Sequence, residues 1–470
     1  MLDQFPTEII LWILSLLNTD DYTHLVLVCR TYRAEYGLLC GSTNLPVRRF
    51  TQAVIQNPPL AHCIRSLELY ASHCEGKWRN RPPLAPLTDL QDYSVHQDRW
   101  RAPWKSEDAW LALLLVQAKD LKRLRIELPA ERVYRLRKNS VHFDRVIHWA
   151  RDPRLGILAR LSHVSLASGP VSVLYRYAEQ PVPFRRLITF LRIPSLHELH
   201  VRTPCDEPRL ALQIGSHLPL THLDLEQTIA VFPSLPWLLK SCSRLELFTL
   251  EVNKWHTRNC HTFPELALLY HHLRRFQSSL RHLNLTFASV GRLLWQEAES
   301  PQPSFFGSLR EFSNFETVHM RWGNPLPFDG KGAYKSTTPL WEILPQSLRH
   351  LFIADYLVYC LQPLCAELES LSLQISDSVP LLRSLYVQFA FAEQESGQRC
   401  IKCIDEWVPR RFLELESKGR AQLLDLQIKF GALGVDFRVV EKDEKVPFVQ
   451  DHAIRKTWFL SEADGSEEEV

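Results

Sequence analysis

Leu196-His197-Glu198-Leu199-His200-Val201-Arg202 and, 24 residues on, Leu220-Thr221-His222-Leu223-Asp224-Leu225-Glu226 carry one phrase, apolar at positions one, four and six. Positions four and six are two apart, so on an extended backbone both side chains leave one face of a short strand, while position one closes the turn before it. Positions three, five and seven leave by the other face, which here carries Glu198, His200 and Arg202 in one phrase and His222, Asp224 and Glu226 in the next. The phrase recurs at Ile64/Leu67/Leu69, Leu121/Leu124/Ile126, Leu161/Val164/Leu166, Leu245/Phe248/Leu250, Leu280/Leu283/Leu285, Phe315/Val318/Met320, Leu348/Leu351/Ile353 and Leu368/Leu371/Leu373. Looser versions at Leu382/Leu385/Val387 and Leu423/Leu426/Ile428 fit either further repeats or a cap.

Successive starts lie between 20 residues (Leu348 to Leu368) and 57 residues (Ile64 to Leu121) apart. The middle spacings bracket the period of about 20 to 29 residues of leucine-rich repeats, and the longer ones imply insertions, placed at 76–107 and 321–338. Helical stretches end just before a phrase, as in Trp110 to Lys119, Phe143 to Ala150, Phe184 to Leu191 and Pro264 to Phe276. One strand and one helix cannot bury their apolar faces alone, and stacking the units does so. The class predicted over residues 46–430 is therefore α/β, an irregular leucine-rich repeat solenoid with parallel strands on a concave face and helices outside. The asparagine expected three residues after position six occurs once, at Asn253.

If the phrases at Leu196 and Leu220 are neighbours, strands about 4.8 Å apart pair Glu198 with His222, His200 with Asp224 and Arg202 with Glu226. All three pairs are complementary, and as exposed pairs each contributes at most about 1 kcal/mol. Position three also holds His163, His222, His282 and His350, which reads as an exposed position of a repeated template; a metal-binding or pH-sensing row is the other reading.

The N-terminus is different. Phe5-Pro6-Thr7-Glu8-Ile9-Ile10-Leu11-Trp12-Ile13-Leu14-Ser15-Leu16-Leu17 gives a helix with Pro6 in its first turn and Glu8 near the positive end of its dipole. Ile9, Ile13, Leu16 and Leu17 form an apolar stripe that Ile10 and Leu14 widen past one face. After Asn18-Thr19-Asp20-Asp21, a second helix carries Leu25-Val26-Leu27-Val28-Cys29-Arg30-Thr31-Tyr32-Arg33. Two or three short helices in about 40 residues cannot bury this apolar surface alone, so it needs a partner or the following repeats.

This order of residues over 2–45 resembles the F-box motif, with Phe5 where leucine is usual and Tyr32 as the aromatic after Cys29-Arg30. The resemblance implies docking onto the Skp adaptor of a cullin-based ubiquitin ligase through Phe5, Pro6, Ile9, Ile13, Leu17, Leu25, Val28 and Cys29. It also implies that the repeats hold a protein substrate, with Glu198, His200, Arg202, His222, Asp224, Glu226, Asn284 and His319 as the candidate contacts. The chain would then be a non-catalytic subunit; a scaffold with the same docking but no degraded partner is the alternative, and an enzyme on a repeat-like frame is a third.

The rest of the sequence narrows the classes. Over 470 residues the formal charge is +2, which gives no electrostatic case for nucleic acid or an anionic membrane. Residues 431–470 have five basic against ten acidic side chains and end in Glu467-Glu468-Glu469, an acidic C-terminal segment. Eleven cysteines without an even framework, and Asp3 where a signal peptide would be basic, point to a reducing cytoplasmic or nuclear compartment. Trp110 to Val116 is the longest apolar run, far short of a bilayer span. Cys400-Ile401-Lys402-Cys403 has no second such pair, so ordinary thiols are favoured over zinc or redox chemistry. No phosphate-binding, nucleophile-elbow or zinc-protease motif occurs, and neither cofactor nor metal is expected. Arg123, Arg125, Arg132, Arg135, Arg137 and Lys138, with Arg185-Arg186 and Arg410-Arg411, read as solvated faces or contacts to an acidic partner segment, and Trp78, Trp100 and Trp104 as partner anchors or packing on the repeat edge.

Overall fold

A computed structural model describes residues 51–52, 54–69, 107–128, 141–168, 182–205, 217–228, 234–253, 266–288, 305–321, 326, 336–356, 361–389 and 409–440. They fall into two compact units. Among the described residues, the first comprises those up to Thr203 together with 217–220, and the second comprises Pro204, Cys205 and everything from Thr221 on.

In the first unit, strands β1 (Ser66–Leu69), β2 (Arg123–Leu128), β3 (His163–Ser168) and β4 (Glu198–Arg202) pair in that order, all parallel. Helices α1 (Pro58–Cys63), α2 (Glu107–Gln117), α3 (Val141–Trp149) and α4 (Phe184–Leu191) alternate with them. In the second unit, β5 (His222–Thr228), β6 (Leu247–Asn253), β7 (His282–Ala288), β8 (Thr317–Arg321), β9 (His350–Tyr356), β10 (Ser384–Phe389) and β11 (Asp436–Val440) form a second parallel series in sequence order. Its helices are α5 (Leu235–Ser241), α6 (Leu266–Leu273), α7 (Leu340–Ile343), α8 (Leu361–Ser378) and α9 (Pro409–Ala432). The α/β class with parallel strands thus holds in each unit, and no described helix is long and apolar enough to cross a membrane.

Each of β1 to β11 starts at position three of its phrase, and like positions face each other: Leu124 pairs with Val164, Val164 with Leu199, Phe248 with Leu283 and Val318 with Leu351. The side chains at positions one, four and six are buried in nine of the quoted phrases wherever described. The phrase is longer than the apolar pattern suggested. The carbonyl at position two accepts two N–H groups of the next phrase, as Lys122 O does from Ser162 and His163, and Glu316 O from Arg349 and His350. In several phrases the N–H at position one bonds back three residues, as Leu161 does to Leu158 O and Leu196 to Ile193 O, and that earlier residue is buried too: Ala118, Leu158, Ile193, Phe312 and Val379; Leu280 N–H instead reaches back four, to Phe276 O. At these turns backbone groups are therefore paired rather than left to solvent.

Two expectations are corrected. Leu368, Leu371 and Leu373 lie inside α8, not on a strand; Leu368 and Leu371 are buried because three residues is also a helical spacing, whereas Leu373 is 78% exposed. The Leu423/Leu426/Ile428 version likewise lies in α9, while Leu382/Leu385/Val387 is a true phrase whose strand is β10. The array then runs on to β11, past the boundary expected at 430. Gly434, with φ +76°, ends α9: its N–H bonds Gly431 O and the next N–H, of Val435, bonds Phe430 O, which turns the chain into β11. Gly419 sits where α9 crosses α8 so closely that a Cβ would lie 2.0 Å from Leu361 Cδ2. Gln362 with Gln422 and Lys429 with Glu369 tie the same two helices on their surface.

Candidate functional site

Alternation within each phrase puts positions three, five and seven on the strand face away from the apolar positions four and six. In the first unit this face is a charge-paired row. The buried Arg125 guanidinium lies 3.7 Å from Glu68 on β1, and His163 Nε2 lies 3.0 Å from Glu198 on β4. Ser162 holds the other nitrogen of His163 at 2.6 Å. His163 therefore sits in a polar pair across two strands, and a shared metal is not required to explain it. At the strand starts Asp120 gathers His62, Arg160 and Arg65, and the His62 hydrogen bond, above the two arginine charges, holds its carboxyl below the ordinary range despite some burial.

Of the eight expected substrate contacts, Glu198, His200 and Arg202 are on β4 of the first unit, and His222, Asp224 and Glu226 are on β5 of the second. The three expected pairs thus join residues of different units, and each member is described within its own. His200 and Asp224 are buried, at 5% and 1% exposure, so position five is not uniformly a solvent position; the other six are half-buried. Just beyond position seven both strands break their regular course: Thr203 (φ 53°) and Gln227 (φ 50°) stand at position eight with left-handed backbones, and the pairing of β5 with β6 shifts register there.

Asn284 and His319 are brought together, directly opposite on β7 and β8. They belong to a position-five row that runs Asp224, Thr249, Asn284, His319, Phe352, Tyr386 and Arg438 across the second unit. The row changes character along its length. The His319 ring stands edge-on to Phe352 at 4.1 Å, and Phe352, Ala354, Tyr386 and Val440 form a buried apolar cluster on this same face. Tyr386 donates to Asp436 at 2.8 Å, and Arg438 lies over the Tyr386 ring while donating to Asp436 at 3.0 Å. Burial raises the Asp436 carboxyl, but the Arg438 and Tyr386 hydrogen bonds outweigh it and leave the group below its ordinary value. Asn284 Oδ1 and, at position three, Thr317 Oγ1 are sealed from solvent with no hydrogen-bond partner among the described residues.

Three features here escaped the sequence reading. The aromatic end at Phe352 and Tyr386 was overlooked because the face was expected to be polar throughout. The buried Thr317 lies between His282 and His350 in the position-three row. Residues just before position one make a second ladder: Ser195 Oγ donates to Leu161 O, Ser279 Oγ to Leu245 O, and Ser347 Oγ to Phe312 O. Serine recurring at that offset was a usable signal. The expected adaptor contacts Phe5, Pro6, Ile9, Ile13, Leu17, Leu25, Val28 and Cys29 lie outside the described residues, as do Cys400, Cys403, Trp78, Trp100 and Trp104. No family model, no curated protein and no solved structure matches this chain, so its residues and geometry are what a functional reading has to stand on.

Proposed function

We propose that the chain is the substrate-recognition adaptor of a Skp-cullin-F-box ubiquitin ligase. Residues 1–45 dock on the Skp adaptor and through it on a cullin, and an irregular leucine-rich repeat solenoid, strands on its concave face, holds a protein substrate. The mechanism is positional: the chain brings a captured protein near activated ubiquitin and itself makes or breaks no bond. The observation that carries this reading is the sequence from Phe5 to Arg33, whose order of residues resembles the F-box motif and which stands ahead of a repeat array. The strand face supports the second half of the reading. Its half-buried polar residues, Asn284 and His319 on neighbouring strands and His222 and Glu226 on β5, leave side-chain surface that a protein partner can reach.

The test is capture from cells with the full chain and with a form lacking residues 1–45. The adaptor and cullin are expected only with the full chain, and substrates with both. Retention of the adaptor by the shortened form would end the docking assignment. Reconstituted ubiquitination of a captured protein then separates a ligase subunit from a scaffold, which would bind its partner without modifying it.

A further inference from the structure

Among the described residues of the second unit, the last elements leave apolar side chains exposed that the cap of a repeat array ordinarily covers. Helix α9 turns Leu426 and Phe430 inward, but its opposite flank exposes Leu424 by 59% and Ile428 by 72%, with Leu433 exposed by 44% beyond them. Val439 on β11 is exposed by 41%. Six of the nine exposed large apolar residues among those described, Leu373, Leu381, Leu424, Ile428, Leu433 and Val439, lie from α8 onward. Strand β11 bonds β10 along one edge, and among the described residues no strand pairs with its other edge. An unprotected edge is a ready template for another strand.

We propose that this end is an interface between two copies of the chain, related by a two-fold axis and joined by antiparallel pairing of β11 with β11 of the second copy. The strand is complementary to itself in one register. With Phe437 opposite Phe437 of the second copy, Asp436 faces Arg438 of the second copy and Arg438 faces its Asp436, so a single pair of residues gives two ion pairs. On the other face of the same register, the exposed Val439 meets Val435 of the second copy. The exposed flank of α9 flanks this junction, and its Leu424 and Ile428 close against the same flank of the second copy. Residues 441–470, which follow β11 directly, and an unrelated protein are the other possible occupants; the matching of opposite charges about Phe437 selects the second copy.

Sedimentation of the full chain tests this. The expected result is a dimer that dissociates on dilution. Ile428→Glu, at an exposed position where the fold tolerates a charge, raises the dissociation constant by about tenfold or more. Asp436→Arg and Arg438→Asp each do the same, and mixing the two single variants restores a dimer, because opposite charges then meet across the axis while positions 436 and 438 within each chain still carry like charges; circular dichroism reads damage to the fold separately. A monomeric full chain overturns the proposal, and if removal of residues 441–470 then produces a dimer, that segment is the occupant. A dimer indifferent to Ile428→Glu and to the charge reversals lies elsewhere and also overturns it. Single reversals that weaken the dimer without recovery in the mixture of the two overturn the register on which the proposal stands.

Discussion

Gly431 and Gly434, three residues apart at the end of α9, are expected to respond to alanine with opposite signs. A Cβ at either position meets nothing within 4 Å, so neither substitution is decided by packing. Gly434 holds φ +76°, and an L-residue there costs about 1 to 2 kcal/mol. Restricting the unfolded chain returns about 0.4 to 1 kcal/mol, leaving Gly434→Ala destabilising by about 1 kcal/mol. Gly431 is helical, so Gly431→Ala removes backbone entropy from the unfolded state without strain and stabilises by about 0.5 kcal/mol, the low end because it sits in the last turn. The two variants should therefore differ by about 1.5 kcal/mol, roughly a factor of ten in the opening of the last strand. Native-state hydrogen exchange at the β11 amides, among them Asp436 N–H bonded to Arg383 O, reads this directly. Slower exchange in Gly431→Ala and faster exchange in Gly434→Ala is expected; shifts of the same sign would refute the left-handed turn and with it the placement of β11.

Other consequences follow from the same geometry. Leu371→Ala should cost about 3 kcal/mol because Leu371 is fully buried inside α8, whereas Leu373→Ala should stay within about 0.5 kcal/mol; equal losses in thermal unfolding would return these residues to a strand. Burial raises the Glu316 carboxyl, but Arg281, whose Nε donates to it at 2.8 Å, outweighs that and depresses it below the ordinary 4.5. A depressed folded-state value contributes stability that is present above the unfolded value and lost as pH falls through the folded one. Unfolding midpoints should thus drop below about pH 4.5, and Glu316→Gln should flatten that limb; an unchanged acid limb would show that the pair contributes nothing. Burial pushes the Cys242 thiol up to about 12 and Cys365 up to about 11, while Cys63 is exposed. Alkylation at pH 8 read by mass spectrometry should label Cys63 first and the other two only on unfolding, and early labelling of Cys242 would contradict the packing of α5.

How far the sequence could be read depends on which spacing each element shares with its rivals. Apolar residues at positions one, four and six located β1 to β9 with the correct face inward, because positions four and six are two apart, a strand spacing that a helix does not keep on one side. Positions one and four are also a helical i, i+3 pair, which is how Leu368 and Leu371 of α8 entered the series. The last strand was missed for the opposite reason: its position one is Gly434, which makes a turn instead of filling a core. The polar face was harder. Phrase position tells which way a side chain points but not what lies over it, so the burial of Arg125, His200 and Asp224 and the change from Asn284 to Phe352 and Tyr386 along one row are properties of the stacked array. For residues 1–45 the legible signal was an excess of apolar residues at helical spacing, and these residues lie outside the described ones.

The central claim is that residues 1–45 are completed by the Skp adaptor. A calorimetric titration of purified full chain with that adaptor tests it most directly: saturable one-to-one binding is expected, lost when Ile9→Asp and Ile13→Asp break the apolar stripe while the repeat units keep their circular dichroism and melting profile. Absence of binding by the unaltered chain, or binding that survives both charges, would contradict the account.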